Sequence, residues 1–158
     1  MTNEYIHFGA TNLCDIEPIK NEHCFTKPLG GLWASPIDAQ FGWKDWCLRE
    51  NFCTGKLERS FIFKLKPNAK IIHIYSIDDL ESLPQLQQET SSWTTLDFEK
   101  LADEYDGIEL HLSEEKPPKK KKTGRWNCLY FELYGWDCDS ILLFNKDCIV
   151  QSEKEYQP

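Results

Sequence analysis

The chain has 158 residues, 41% of them hydrophobic and 13% aromatic, enough to bury roughly 70% of the surface its unfolded form exposes and to exclude global disorder. Eighteen basic against 26 acidic residues leave a formal net charge of −8, which argues against a general affinity for nucleic acid or anionic membranes. No apolar run approaches the ~18 residues of a membrane span, and the first residues, MTNEYIHFGA, lack the basic and apolar regions of a signal peptide; the expectation is one cytoplasmic domain over residues 1–150 with a polar tail at 151–158.

Tyr5 to Ala10 alternates as a first strand, with Ile6 and Phe8 on one face and Tyr5, His7 and Gly9 on the other. His7 in such a place is either a satisfied structural residue or a ligand contact. Thr11 to Glu17 suggests a helical turn that buries Leu13 and Ile16, and Lys20 to Pro28 a loop. Gly30 and Gly31 allow close backbone approach, and Leu32-Trp33-Ala34 reads as a short buried strand. Ser35, Pro36 and Asp38 then spell a helix start: a hydroxyl cap, a residue without an N–H, and an acid three positions after the cap. A strand-to-helix junction of this kind offers free N–H groups to an anion and sets Trp33 beside it as a flat apolar surface. The alternative is that Trp33 is core and Ser35 an ordinary cap. The helix is expected to resume through Glu50, with Trp43, Trp46 and Cys47 as an inward stripe.

Arg59 to Lys66 alternates as a strand, Ile71 to Tyr75 is another, and Ser76 with Asp79 opens a short helix carrying Leu80 and Leu83. Pro84 to Ser92 reads as a surface segment. Thr94 with Asp97 opens a helix with Phe98, Leu101, Ala102 and Tyr105 on one face, and Gly107 is expected as its left-handed cap. Ile108 to Leu112 alternates, so Glu109 and His111 share a face. The segment EEKPPKKKK reads as a solvated loop or, through Lys119, Lys120, Lys121 and Lys122, as a local phosphate contact. Cys128 to Tyr134 and Ser140 to Phe144 are the last two expected strands. Strands intermixed with short helices make the class α+β.

Seven cysteines, odd in number and without a C-x-x-C pair, argue against a zinc site or a disulfide framework. The four histidines lack helical i, i+4 spacing, so no metal is expected. Cys138 stands between two aspartates whose charge raises its thiol pKa, a poor setting for a nucleophile.

Taken in order, HFGA from His7, GLWASP from Gly31, FEKLADEYDGIEL from Phe98 and DSILLFNKDCI from Asp139 resemble the ADP-ribosyltransferase-like superfamily. The resemblance implies split mixed or antiparallel β-sheets with short flanking helices, and NAD as substrate without a metal. It implies that His7, Gly9, Trp33 and Ser35 bind the dinucleotide, with Trp33 stacked on nicotinamide. Where the family has its catalytic glutamate this chain has Ser140, so the acid is sought at Asp139, Asp137 or Glu132, with Glu109 a further substitute. The implied activity is transfer of ADP-ribose to a macromolecular acceptor, protein or nucleic acid, in the manner of a toxin or phage-defence effector. The alternative is an inactive module of the same shape that holds a protein or nucleic-acid partner; neither reading involves a membrane.

Overall fold

The computed structural model describes residues 3–22, 26–87, 94–121 and 127–151. The class is α+β, built on one seven-stranded sheet of mixed orientation with few, short helices.

In chain order the strands of the large sheet are β1 (Glu4–Phe8), β2 (Leu32–Pro36), β3 (Ser60–Leu65) and β4 (Ile71–Ile74). A separate hairpin of β5 (Gln85–Gln87) and β6 (Thr94–Leu96) follows, and the large sheet is completed by β7 (Gly107–Leu110), β8 (Ser140–Leu143) and β9 (Ile149–Gln151). Their spatial order is β4-β7-β8-β2-β1-β3-β9. Among the described residues only β4 and β7 run parallel, in the register His73 opposite Glu109. Two residue pairs, Tyr5 with Pro36 and Ile6 with Ser35, join β1 to β2 and so join the two halves of the sheet.

One face of the sheet is covered by helices. Ile77 and Leu80 of α2 (Ile77–Glu81), Phe98 and Leu101 of α3 (Phe98–Glu104), and Leu129 of α4 (Leu129–Glu132) pack with Trp136 on Ile74, Ile108, Leu110 and Leu142. The other face buries Tyr5, Phe61, Phe63, Leu65, Ile141 and Leu143, flanked by Leu13 and Ile16. The first helix, α1 (Trp43–Glu50), buries only Cys47.

Several expectations need correction. Residues 11–17 form no helix; they run without regular structure, with Leu13 and Ile16 packed against the second core. The helix expected at Ser35 begins at Trp43; Ser35 remains in β2, and its hydroxyl accepts the Trp43 N–H at 2.9 Å, capping the helix from eight residues away. Thr94 lies in β6, and the cap of α3 is Asp97, whose carboxylate accepts the Lys100 N–H. Gly107 is not a left-handed cap: it opens β7, where a Cβ would stand 2.7 Å from the Leu142 carbonyl, so its small size serves strand packing. The strand expected at Cys128–Tyr134 is α4. Leu129 and Leu133 are buried four residues apart while Tyr130, Phe131 and Tyr134 face out, a helical period disguised by aromatic residues. The junction before β2 matches its reading: Gly30 and Gly31 take φ of +78° and +72°, and a Cβ at Gly31 would lie 2.5 Å from Leu142 Cδ1.

Candidate functional site

Two cavities lie against the sheet. Ile6, Ser35 and Ser140 line the first; their neighbours Tyr5, Pro36 and Asp139 line the second.

The first cavity has a volume of about 270 Å³ and gathers His7, Trp33, Ser35, Asp137 and Ser140 with Lys27, Lys56, Trp43 and Trp136. Beyond Ile6 the β1–β2 ladder stops, and the His7 imidazole takes its place: Nδ1 donates to the Trp33 carbonyl at 2.7 Å. A carbonyl only accepts, so the proton is on Nδ1 and Nε2 is left as an acceptor. Burial holds His7 below the ordinary imidazole range, favouring this neutral form. The Trp33 ring meets the edge of Trp136 at 4.6 Å between centroids, and the Lys27 ammonium sits 5.0 Å above it. Burial lowers the Lys27 pKa, and Asp137 works against that shift.

The Ser35 hydroxyl spends its one proton on the Asp139 carbonyl at 3.0 Å and accepts from the Trp43 N–H. It holds β2, α1 and the approach to β8 together, which limits what it can offer a ligand. Gly9 follows β1, gives its N–H to the Arg59 carbonyl at 2.8 Å, and is not among the residues lining the cavity.

Of the three candidate acids, only Asp137 reaches this cavity. Asp139 is turned to the other side by the strand's alternation, where its Oδ1 accepts the Ser113 N–H at 2.7 Å. Glu132 ends α4 and lines neither cavity, because the segment is helical and not a strand beside β8. Cys138 is buried, and that burial, with Asp139 adding to it, pushes its thiol up to about 12.

The second cavity, about 300 Å³, is lined by Tyr5, Asp38, His73, Glu109, His111, Glu114 and Asp139 among others, with no lysine or arginine. Here His73 Nδ1 lies 3.1 Å from His111 Nε2 and 3.4 Å from Glu109 Oε2, and His111 Nε2 lies 3.7 Å from Glu109 Oε1. Tyr5 donates to Glu109 Oε2 at 2.9 Å. Burial lowers both imidazole pKa values and raises that of Glu109. The Glu109–His111 pair was visible in the alternation of one strand. His73 was not, since it joins them through pairing between strands 36 residues apart.

No family model, curated protein or solved structure matches this chain. Among the described residues no helix is long and apolar enough to cross a membrane. Lys119, Lys120 and Lys121 are exposed, the Lys119 N–H being tied to Asp78 at 2.8 Å; Lys122 lies outside the described residues.

Proposed function

We propose that the cavity of His7 and Trp33 binds NAD and that the chain transfers ADP-ribose from it to a macromolecular acceptor. The observation that carries this reading is the meeting of His7, Trp33 and Asp137 in one cavity whose other charged lining residues are Lys27 and Lys56. Such a meeting requires a first-strand imidazole, a second-strand aromatic and a late acid to be neighbours, and β1, β2 and β8 lie side by side. The narrow join between the two halves of the sheet is compatible with a split-sheet, ADP-ribosyltransferase-like arrangement.

The chemistry follows from the groups present. The nicotinamide of NAD is a cationic ring, and the face of Trp33 already attracts a cation, the Lys27 ammonium. Entry of the ring displaces Lys27 toward Asp137 and the diphosphate. When the glycosidic bond breaks, its electron pair leaves with neutral nicotinamide and the ribose becomes oxocarbenium-like, a charge that the Asp137 carboxylate stabilises. The acceptor's nucleophile then forms a bond to the same ribose carbon, and its proton passes to Asp137 or water. His7 Nε2 accepts a hydrogen bond from a ribose hydroxyl.

A second reading, an inactive module that retains the cavity, is favoured by Ser140 standing where a carboxylate is expected, its hydroxyl donating to the Cys138 carbonyl at 3.1 Å. Titration of intrinsic tryptophan fluorescence with NAD, alongside a nicotinamide-release assay, separates the two. Quenching lost in Trp33→Ala and release lost in Asp137→Asn support transfer. Quenching without release supports the inactive module, and no quenching in the native chain ends both.

A further inference from the structure

We propose that His73, Glu109 and His111 form a binding site for one divalent transition-metal ion, suited best to Zn²⁺, with an open coordination position facing the acidic cleft. The proposal concerns the second cavity and does not depend on the NAD cavity.

Three donor atoms from two paired strands converge. Because β4 and β7 run parallel with His73 opposite Glu109, and Glu109 and His111 are two apart on β7 and just beyond it, all three side chains leave the same face. The ladder continues past β7 through the His111 N–H, which donates to the Ile74 carbonyl at 3.0 Å, so the donors sit on rigid strands. Their potential ligand atoms all lie within 4.8 Å of one another. Two ligands held at about 2.0–2.2 Å from zinc in tetrahedral geometry are about 3.3–3.6 Å apart. The nitrogens stand 3.1 Å apart, and the carboxylate reaches them with different oxygens, Oε2 at 3.4 Å from His73 and Oε1 at 3.7 Å from His111; one ligand atom from each lies within 4.8 Å of the others, so an ion draws the carboxylate in by a rotation of its side chain.

One N–H held between the two imidazole nitrogens at 3.1 Å and the Tyr5 hydroxyl on Glu109 Oε2 hold this cluster together without an ion. A cation displaces the shared imidazole proton and draws both nitrogens and the carboxylate to itself. Supporting contacts fix the ligands as metal sites require: Tyr5 donates to Glu109 Oε2, and the Tyr75 ring lies parallel to His111 at 4.0 Å and 4°. Asp38, Glu114 and Asp139 add negative potential to the cleft. The His73 side chain, 45% exposed, leaves an entry path, while Glu109 is only 5% exposed.

The donor set narrows the ion. Two imidazoles with one carboxylate suit zinc and its first-row neighbours; magnesium and calcium demand more oxygen ligands. Three protein ligands with the fourth position left to water is the pattern of a reactive zinc site, whereas structural sites are closed by four.

The test is a titration of the full chain, stripped with a chelator, with Co²⁺ alone and then with Zn²⁺ as competitor. One equivalent of Co²⁺ is expected to give the visible absorption of a low-symmetry nitrogen and oxygen site, without a strong near-ultraviolet thiolate band, and Zn²⁺ to abolish it. His73→Ala removes a surface ligand and leaves the core intact, as circular dichroism will verify; it is expected to lose the signal at Co²⁺ concentrations that saturate the native chain. Tyr5→Phe is expected to keep the spectrum and weaken binding about 10–100-fold. Absence of stoichiometric binding, a thiolate spectrum, or native-like binding by His73→Ala overturns the proposal. NAD quenching should be unchanged in His73→Ala, which keeps the two sites separately testable.

Discussion

The two cavities are chemically opposite. On one side Lys27, Lys56 and three indoles surround a neutral histidine and a single carboxylate; on the other, four carboxylates surround two histidines and no lysine or arginine. The same three strands, β1, β2 and β8, contribute to both or lead into both. The sites part at neighbouring positions: Ile6, Ser35 and Ser140 line one, and Tyr5, Pro36 and Asp139 line the other. A chain with net charge −8 can therefore carry a cavity lined by two lysines and one acid, because four of its carboxylates gather in the other one.

The sharpest way to break this contrast is to remove a wall from one side. Trp136 is 1% exposed, touches both Trp33 and Phe98, and donates its indole N–H to the Thr26 carbonyl at 3.2 Å. Trp136→Ala is expected to cost about 3–5 kcal/mol in urea unfolding and to abolish NAD quenching. A cost below about 1 kcal/mol means that the aromatic cavity is not anchored in the core as described. The next largest effect belongs to the residue that ties the faces together. Ser35→Ala leaves the Asp139 carbonyl and the Trp43 N–H without their partner, at about 1–3 kcal/mol. Ser140→Ala, whose hydroxyl makes one local bond to Cys138, is expected to cost less; equal costs would deny Ser35 its clasping role.

The longer strands of the large sheet were legible because one or both faces are buried and the pattern shows it, whereas the three-residue strands β5, β6 and β9 are too short to carry a period. Phe61, Phe63 and Leu65 alternate with Lys64, and β3 lies where that alternation predicts. The helices were less legible. At α4 three outward aromatic residues hide the Leu129 and Leu133 repeat, and at Ser35 the capping chemistry is present but spans a loop, Ile37 to Phe41, that local pattern does not reveal. His7 and Trp33 were readable because short motifs, each weak alone, occur together in order along the chain. Which acid joins it was not, since a shift of one position changes the face, and Asp137 reaches the cavity from outside the strand. The histidine cluster required strand pairing, which one strand's alternation does not contain.

The smallest effect, a shift of stability with pH, is the one that compares the faces directly. His7 on one side and His73 and His111 on the other are all held below the ordinary imidazole range by burial. In the unfolded chain each regains a pKa of about 6.5, so as pH falls through that value the unfolded state takes up protons first and stability drops. Glu109 acts in the opposite sense. Its carboxyl is raised by burial, the folded state binds that proton more tightly, and stability rises as pH falls from its folded value toward its ordinary one. Glu109→Gln removes this gain, and it removes the negative charge that keeps the His111 pKa from falling further. The acid loss in that variant is therefore expected to be steeper than in the native chain, and in His7→Gln shallower. Urea midpoints at pH 7, 6 and 5, in chelator so that no metal contributes, compare the three. A flatter profile for Glu109→Gln would mean that the imidazoles of the acidic cleft take up protons through Glu109 more readily than they do unfolded, and the cleft would then be a proton-holding pair whose neutral nitrogens are not available to a cation.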